Sequence, residues 1–316
     1  MAAKKLSFAV ISDSHLRPDV PDISYWNKRL YGHSCQMLAA AVEEINSHSA
    51  DFVVHCGDLT GRSDKASFQR AAEILSDLDC PFYFVPGNHD TYYPNLRELA
   101  AELFQYTSPT LYRAVECGGW RMLLIDSAYW WYQDGSVKGH YNLDNRAEVT
   151  AIGVPDFELD WIRQELERDP TTPTLCFTHL SMAMRPEYPV GTLARGKPVL
   201  ERPVRINSYA ERPWGQTLLQ ILKSAPGVKA LFYGHMHFHD TLVEDGLLYC
   251  QTGSLIEYPN EPRFVQIDDQ CMRVGTLPLC DGKYAELSYL PEWNNRWVEG
   301  RPIDRDRSFP IGSKIH

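Results

Sequence analysis

Apolar runs alternating with amphipathic stretches predict an α/β layered sandwich for this 316-residue chain. Three observations carry that expectation. Short runs rich in strand formers recur along the chain, and each is closed by a polar cluster. Helical periodicity fills the intervals between them. The last third, residues 247–290, holds short alternating runs broken by Gly and Asp, which read as β-rich.

The elements follow in order. Residues 6–12 form the first strand candidate. Residues 35–46 carry Met37, Leu38, Ala41, Val42 and Ile45 at the spacing of one helix face. Phe52–Cys56 reads as a buried strand, residues 66–78 as a second helix, and Phe82–Val85 as a strand closed by Pro86 and Gly87. Residues 120–126, 174–178 and 229–233 extend the series. A helix over 156–167 is expected to begin at Asp156 as N-cap and shows Phe157, Leu159, Trp161, Ile162 and Leu166. Two stretches stand out as insertions: 128–155, with Tyr129-Trp-Trp-Tyr132, and the Pro- and Arg-rich 182–214. A single domain is expected over 1–290, followed by a tail, 291–316, without assignable periodicity.

Composition excludes several classes. The formal net charge of −10 disfavours a nucleic-acid polymer or a membrane surface as partner, since both call for a basic footprint. No apolar stretch approaches the roughly 18 residues of a membrane span, and no secretory h-region precedes the first strand. The eight cysteines include no CxxC pair, which suits small buried hydrophobes in a reducing cytoplasm.

Five polar motifs sit where strands are expected to end, the place where open α/β sheets bind ligands. They are Asp13-Ser-His15, Gly57-Asp58, Gly87-Asn-His-Asp90, Thr178-His179 and Gly234-His-Met-His237. Alone, each is weak: Gly-Asp is a common turn pair, and a strand-end histidine is ordinary. Together they supply Asp13, His15, Asp58, Asn88, His179, His235 and His237, an oxygen and imidazole set suited to Mn, Fe or Zn. The Asp-x-His and His-x-His spacings would point both side chains to one side of an extended segment. Gly57, Gly87 and Gly234 would permit sharp turns before the donors. His55 reads as a core histidine, and His239 as a neighbour of the site or an exposed residue.

This ordered series resembles the calcineurin-like metallophosphoesterases, closest to the branch of cyclic-nucleotide and glycerophosphodiester phosphodiesterases. The resemblance runs from Asp13 to His237. It implies a four-layer α-β-β-α sandwich with two metal ions, one held by Asp13, His15, Asp58 and His237, the other by Asp58, Asn88, His179 and His235. Asp58 would bridge them. Two departures are visible: His179-Leu-Ser-Met replaces the frequent His-His-Pro type of run, and no Tyr follows Gly57-Asp58, which argues against a purple iron-tyrosinate enzyme.

The implied reaction is metal-dependent hydrolysis of small phosphodiesters by a hydroxide shared between the metals, with phosphomonoester hydrolysis as the alternative. A scaffold protein with a decayed site would lack donors that are all present here. His89 is the candidate general acid, and Asp90 is expected to orient it. Arg185, Arg195, Lys197, Arg202, Arg205 and Arg212 give 182–214 a local positive excess that could bind a second anionic group. The 129–132 aromatics suit either a substrate lid or a packed insertion. A small phosphoester is the expected partner, and a homo-oligomer remains open.

Overall fold

The computed structural model describes residues 5–24, 27–92, 94–182, 192–194, 197–199, 209–293 and 296–311. Twelve strands build its two main sheets, each six-stranded. In chain order they are β1 (Leu6–Ile11), β2 (Phe52–Cys56), β3 (Phe82–Val85), β4 (Arg113–Cys117), β5 (Trp120–Leu124) and β6 (Thr174–Phe177). They continue with β7 (Val228–Tyr233), β8 (Asp240–Glu244), β9 (Leu247–Gln251), β10 (Arg263–Ile267), β11 (Cys271–Thr276) and β12 (Arg307–Pro310). The first sheet runs β12-β11-β10-β1-β2-β3, and the second β8-β9-β7-β6-β5-β4.

Alternation along the strands makes the layers. Phe8, Val10, Phe52 and Val54 of the first sheet meet Met122, Leu124, Phe177 and Phe232 of the second in one core. Phe8 stacks on Phe52 at 4.8 Å and meets Phe232 edge-on at 5.4 Å. Truncating such a buried ring typically costs about 3–5 kcal/mol. The opposite faces are also apolar: Ala9, Ile11, Val53 and Phe84 pack under α1 (Ser34–Ser47) and α2 (Lys65–Leu75). Leu123, Cys176, Leu231 and Tyr233 pack under α4 (Asp156–Arg168) and α5 (Pro213–Ser224). The result is the expected four-layer α-β-β-α sandwich, with α3 (Leu96–Leu103) beside α2.

The central strands of both sheets are parallel: β1 with β2, β2 with β3, β5 with β6, β6 with β7 and β7 with β9. Their C-terminal ends therefore share one edge, and all five polar motifs emerge there. Among the described residues no helix is long and apolar enough to cross a membrane. All eight cysteines are free thiols.

Two expectations need correction, and one choice left open by the sequence is narrowed. Asp156 is the first residue of α4 rather than its cap; Pro155 holds the cap position, and Asp156 supplies charge to the first turn. The described part of the expected tail, up to residue 311, is not apart from the domain. β12 pairs antiparallel with β11 and sends Phe309 into the inter-sheet core. Asp304 anchors the approach by accepting from Thr241 N at 3.1 Å. Only Phe309 of β12 is buried, so its pattern is too thin to read. The 129–132 run, finally, is a strand of a small three-stranded sheet that buries Trp130 and Tyr132 and donates Trp130 Nε1 to Thr91 Oγ1 at 2.9 Å. It is a packed insertion. Arg185, Arg195, Arg202 and Arg205 lie outside the described residues, and only the backbone of Lys197 is described.

Candidate metal centre

The loops that leave the strand tips are laced together before any side chain acts. Asp13 N donates to Gly57 O at 3.0 Å and His15 N to Asp58 O at 2.9 Å. Gly234 N donates to His179 O at 3.1 Å across the second sheet. Within this lacing Asp13, His15, Asp58, His235 and His237 all adopt positive φ, between 42° and 75°. A left-handed conformation costs a non-glycine residue roughly 1–2 kcal/mol, and such strain gathers at functional sites. This revises the reading of the Asp-x-His and His-x-His spacings, because the pairs sit in left-handed turns beyond the strand ends.

The glycines divide as well. Gly57 has φ +86°, and a Cβ there would stand 2.5 Å from His179 Nδ1. Gly87 has no positive φ; it lies where a Cβ would collide with the Asp58 carboxylate and backbone. Close approach, not a sharp turn, requires glycine at that position.

The seven donors converge as two groups. In the first, Asp13 Oδ1 lies 3.1 Å from His237 Nε2 and 3.7 Å from His15 Nε2. The two imidazole nitrogens are 3.2 Å apart. In the second, Asn88 Oδ1 lies 3.1 Å from His179 Nε2 and 3.0 Å from His235 Nδ1, and those nitrogens are also 3.2 Å apart. Asp58 Oδ2 faces both groups, 3.6 Å from His15 Nε2 and 3.5 Å from His179 Nε2.

These separations fit metal ions. Donors about 2.1 Å from one cation, in tetrahedral or octahedral array, stand about 3.0–3.4 Å from one another. The buried Asp13 Oδ1 accepts no hydrogen bond, an orphan that a cation would satisfy. Asp13, His15 and His237 place one donor atom each within 4.8 Å of one another, as do Asp13, Asp58 and His179.

Burial sets the protonation. It pushes His235 down to about 3, helped by the charge of His179, and pulls His179 below the usual imidazole range. His15 is held well below that range by burial, then by His89 and His237. Neutral imidazoles keep the lone pairs that ligation requires. Burial opposes ionisation of Asp13, yet the neighbouring His237, His179 and His15 hold its carboxyl well below the usual range. Asp58 is raised to about 6 by burial, with the Asp13 charge adding to it. His237 is lowered by burial, but Asp13 and Glu257 outweigh this and lift it to about 9.

Sequence reasoning missed the groups behind the donors. Glu257 pairs through Oε1 with His237 Nδ1 and accepts from Arg29 Nε at 3.1 Å. Tyr209 Oη stands 3.3 Å from His235 Nε2. His179 Nδ1 donates to the Cys56 carbonyl at 2.8 Å, which turns Nε2 toward Asn88. No local motif marks Glu257, Arg29 or Tyr209; only the folded chain brings them here.

His89 and Asp90 part company. His89 is half-buried, its ring 4.7 Å from that of His15, and Nδ1 donates to Gly61 O at 3.2 Å. The expected orienting role of Asp90 fails. Its carboxylate is fully buried and accepts from Gly87 N at 3.0 Å, Leu59 N at 3.1 Å and Thr60 N at 2.8 Å. Backbone amides, unsatisfied in these tight loops, claim the carboxylate that the imidazole was expected to use. His55 is a core histidine, with Nε2 2.8 Å from Ser14 Oγ. His239 is buried rather than exposed and accepts from Gly253 N at 3.0 Å.

Known proteins resemble this chain in sequence or in fold. A probable cyclic nucleotide phosphodiesterase of Synechococcus sp. is 27% identical over 237 residues, 74% of each chain. The glycerophosphodiester phosphodiesterase GpdQ of Enterobacter lignolyticus is 27% identical over 237 residues, 72% of this chain and 70% of its own. A dimetal phosphatase from Danio rerio superposes with a TM-score of 0.63 at 16% identity, covering 97% of this chain and 99% of the other. The profile of the calcineurin-like phosphoesterases matches residues 6–239, a span that contains every one of the seven clustered donors. The chain belongs to the calcineurin-like phosphoesterase family.

Proposed function

We propose that this protein hydrolyses small phosphodiesters with two divalent metal ions. Asp13, His15, Asp58 and His237 would hold one ion, and Asp58, Asn88, His179 and His235 the other. The observation that carries this reading is the position of Asp58 Oδ2, 3.6 Å from a donor of the first group and 3.5 Å from a donor of the second. A cation pair bound there supplies Lewis-acid stabilisation of the charge that develops on the phosphoryl oxygens. The donor set admits Mn, Fe or Zn.

The remaining work falls to side chains. His89 is the proton donor for the departing alkoxide. Gly61 O occupies Nδ1, so the proton delivered would be the one on Nε2. Asp90 holds the Leu59–Thr60 and Gly87 amides in place and thereby fixes the loops that carry Asp58 and Asn88. Ser12 Oγ and His235 N both donate to Asp13 Oδ2, which keeps Oδ1 turned to the centre. The eight free thiols favour a reducing, cytoplasmic setting. The relatives named for cyclic nucleotides and glycerophosphodiesters favour diesters as substrates.

The test is steady-state turnover of bis(p-nitrophenyl) phosphate, p-nitrophenyl phosphate and cyclic AMP after loading with Mn, Zn or Fe. A diester is expected to be the better substrate. A clear preference for the monoester overturns the diester reading, and no metal-dependent turnover overturns the hydrolase.

A further inference from the structure

With Asp90 committed to backbone amides, something else has to aim His89. Its Nδ1 donates to Gly61 O at 3.2 Å, which pins one atom of the ring. The rings of His15 and Tyr92 pack against it, with centroids 4.7 and 5.0 Å away. Tyr92 is half-buried. Burial pushes its hydroxyl up to about 12, the Asp58 charge adds to this, and the Asn88 side chain opposes it. The phenol therefore stays protonated, and its far end reaches toward the centre. A general acid has to stand within hydrogen-bond reach of the oxygen it protonates, and a misplacement of about 1 Å costs about a hundredfold.

Behind Tyr92 stands the packed insertion, whose short strands are Tyr129–Tyr132, Val137–Lys138 and Val149–Gly153. Tyr141 of this insertion meets the Tyr92 ring at 5.7 Å and the Trp130 ring at 4.7 Å. Its backbone N donates to Thr91 O at 2.6 Å. Trp130 Nε1 donates to Thr91 Oγ1 at 2.9 Å, and that hydroxyl donates in turn to Asn88 O at 3.2 Å. Two linked hydrogen bonds thus run from a buried indole to the one-turn helix His89–Thr91.

The insertion can serve as a support because it is itself tied to the domain. Arg97 of α3 donates to Gly139 O and, at 2.8 Å, to Asp126 just beyond β5. Tyr132 Oη donates to His140 O and accepts from Asn142 N, both at 2.9 Å. The chain is therefore held on both sides of Tyr141.

We infer that the 128–155 insertion is the brace that aims the His89 imidazole, with Trp130 and Tyr141 as positioning residues acting through Thr91 and Tyr92. The inference rests on the reading of His89 as proton donor. The test compares 4-nitrophenyl and phenyl esters of methyl phosphate on the Mn-loaded enzyme and its variants, with bound Mn counted in each. Phenoxide is the poorer leaving group, so its departure depends more on the proton. His89→Ala sets the reference and should slow the phenyl ester about a hundredfold more than the nitrophenyl ester. Trp130→Phe keeps a ring and removes the N–H; Thr91→Val removes the hydroxyl. Each should lower kcat on the phenyl ester about tenfold more than on the nitrophenyl ester, at unchanged bound Mn. Because both break the same linkage, the double variant should be no worse than either alone. Thr91→Ser, which keeps the hydroxyl, should retain the wild-type ratio.

Equal slowing of both esters by Trp130→Phe and Thr91→Val overturns the inference, because a merely structural loss acts on every leaving group alike. Loss of Mn with no change in the ratio overturns it too. Trp130→Phe decides alone if Thr91→Val fails to fold. Equal slowing of both esters by His89→Ala is a different outcome, because it removes the proton-donor reading itself.

Discussion

The two halves of the centre use similar donors on dissimilar supports. In the half of Asp13, His15 and His237, a carboxylate stands behind the imidazole: Glu257 holds His237 and is itself held by Arg29. In the half of Asn88, His179 and His235, the supports are neutral, a Cys56 carbonyl behind His179 and the Tyr209 hydroxyl behind His235. The first half also brings the ionised Asp13, where the second brings an amide. A carboxylate behind a ligating histidine raises its basicity and fixes its orientation. The first half should therefore bind its ion more tightly, and loading should be sequential.

The largest effect should come from the residue that belongs to both halves. Asp58→Ala is expected to lower kcat/KM by about a thousandfold or more and to cut bound metal, measured by elemental analysis, at both positions. Loss of one ion alone would divide the halves differently. Next comes pH. His237 must shed a proton held up to about 9, while His235 sits at about 3 and has none to shed above that. Affinity in the first half should therefore fall about tenfold per unit as pH drops below 9, while the second half stays nearly flat from pH 8 down to about 6, where the shared Asp58 begins to take up a proton; calorimetric titration at several pH values reads both. The supports come third. Glu257→Gln should weaken the first ion by about 10–100-fold. Tyr209→Phe, which removes a neutral contact, should weaken the second by only about five- to tenfold. Equal losses would abolish the asymmetry. The smallest effect on metal affinity is expected from Asp90→Asn, which puts an amide where amides already donate and is read in stability instead. It should lower stability by about 1–3 kcal/mol in thermal unfolding and touch both halves alike.

What could be read in advance follows the range of each interaction. The strands Phe52–Cys56 and Phe82–Val85 and the five motifs at strand ends were legible because each is local: an apolar run, then donors a residue or two apart. The order of the motifs sufficed to gather seven donors. The left-handed backbone of Asp13 or His237 was not legible, since neither residue type asks for it; the lacing of loops from both sheets imposes it. Glu257 and Tyr209 stood in stretches with no motif. Asp90 shows the opposite failure: adjacency to His89 suggested a pair, but three backbone donors lay closer in space. β12 was lost because one buried side chain, Phe309, makes no pattern.

The donors also have a mechanical meaning. Asp13, His15, Asp58 and Asn88 hang from tips of the first sheet, His179, His235 and His237 from tips of the second. Each half of the centre draws from both. Cations bound there would act as rivets through one rim of the sandwich, while the opposite rim, around Leu6 and Val228, lies at the other ends of the same strands. Chelation should then loosen the molecule from one side, with amide exchange quickening first around Gly57 and Gly234 and last around Leu6 and Val228. A catalytic pair would double as the clamp that sets the spacing of the sheets, and the strain stored in its loops would be the tension of that clamp.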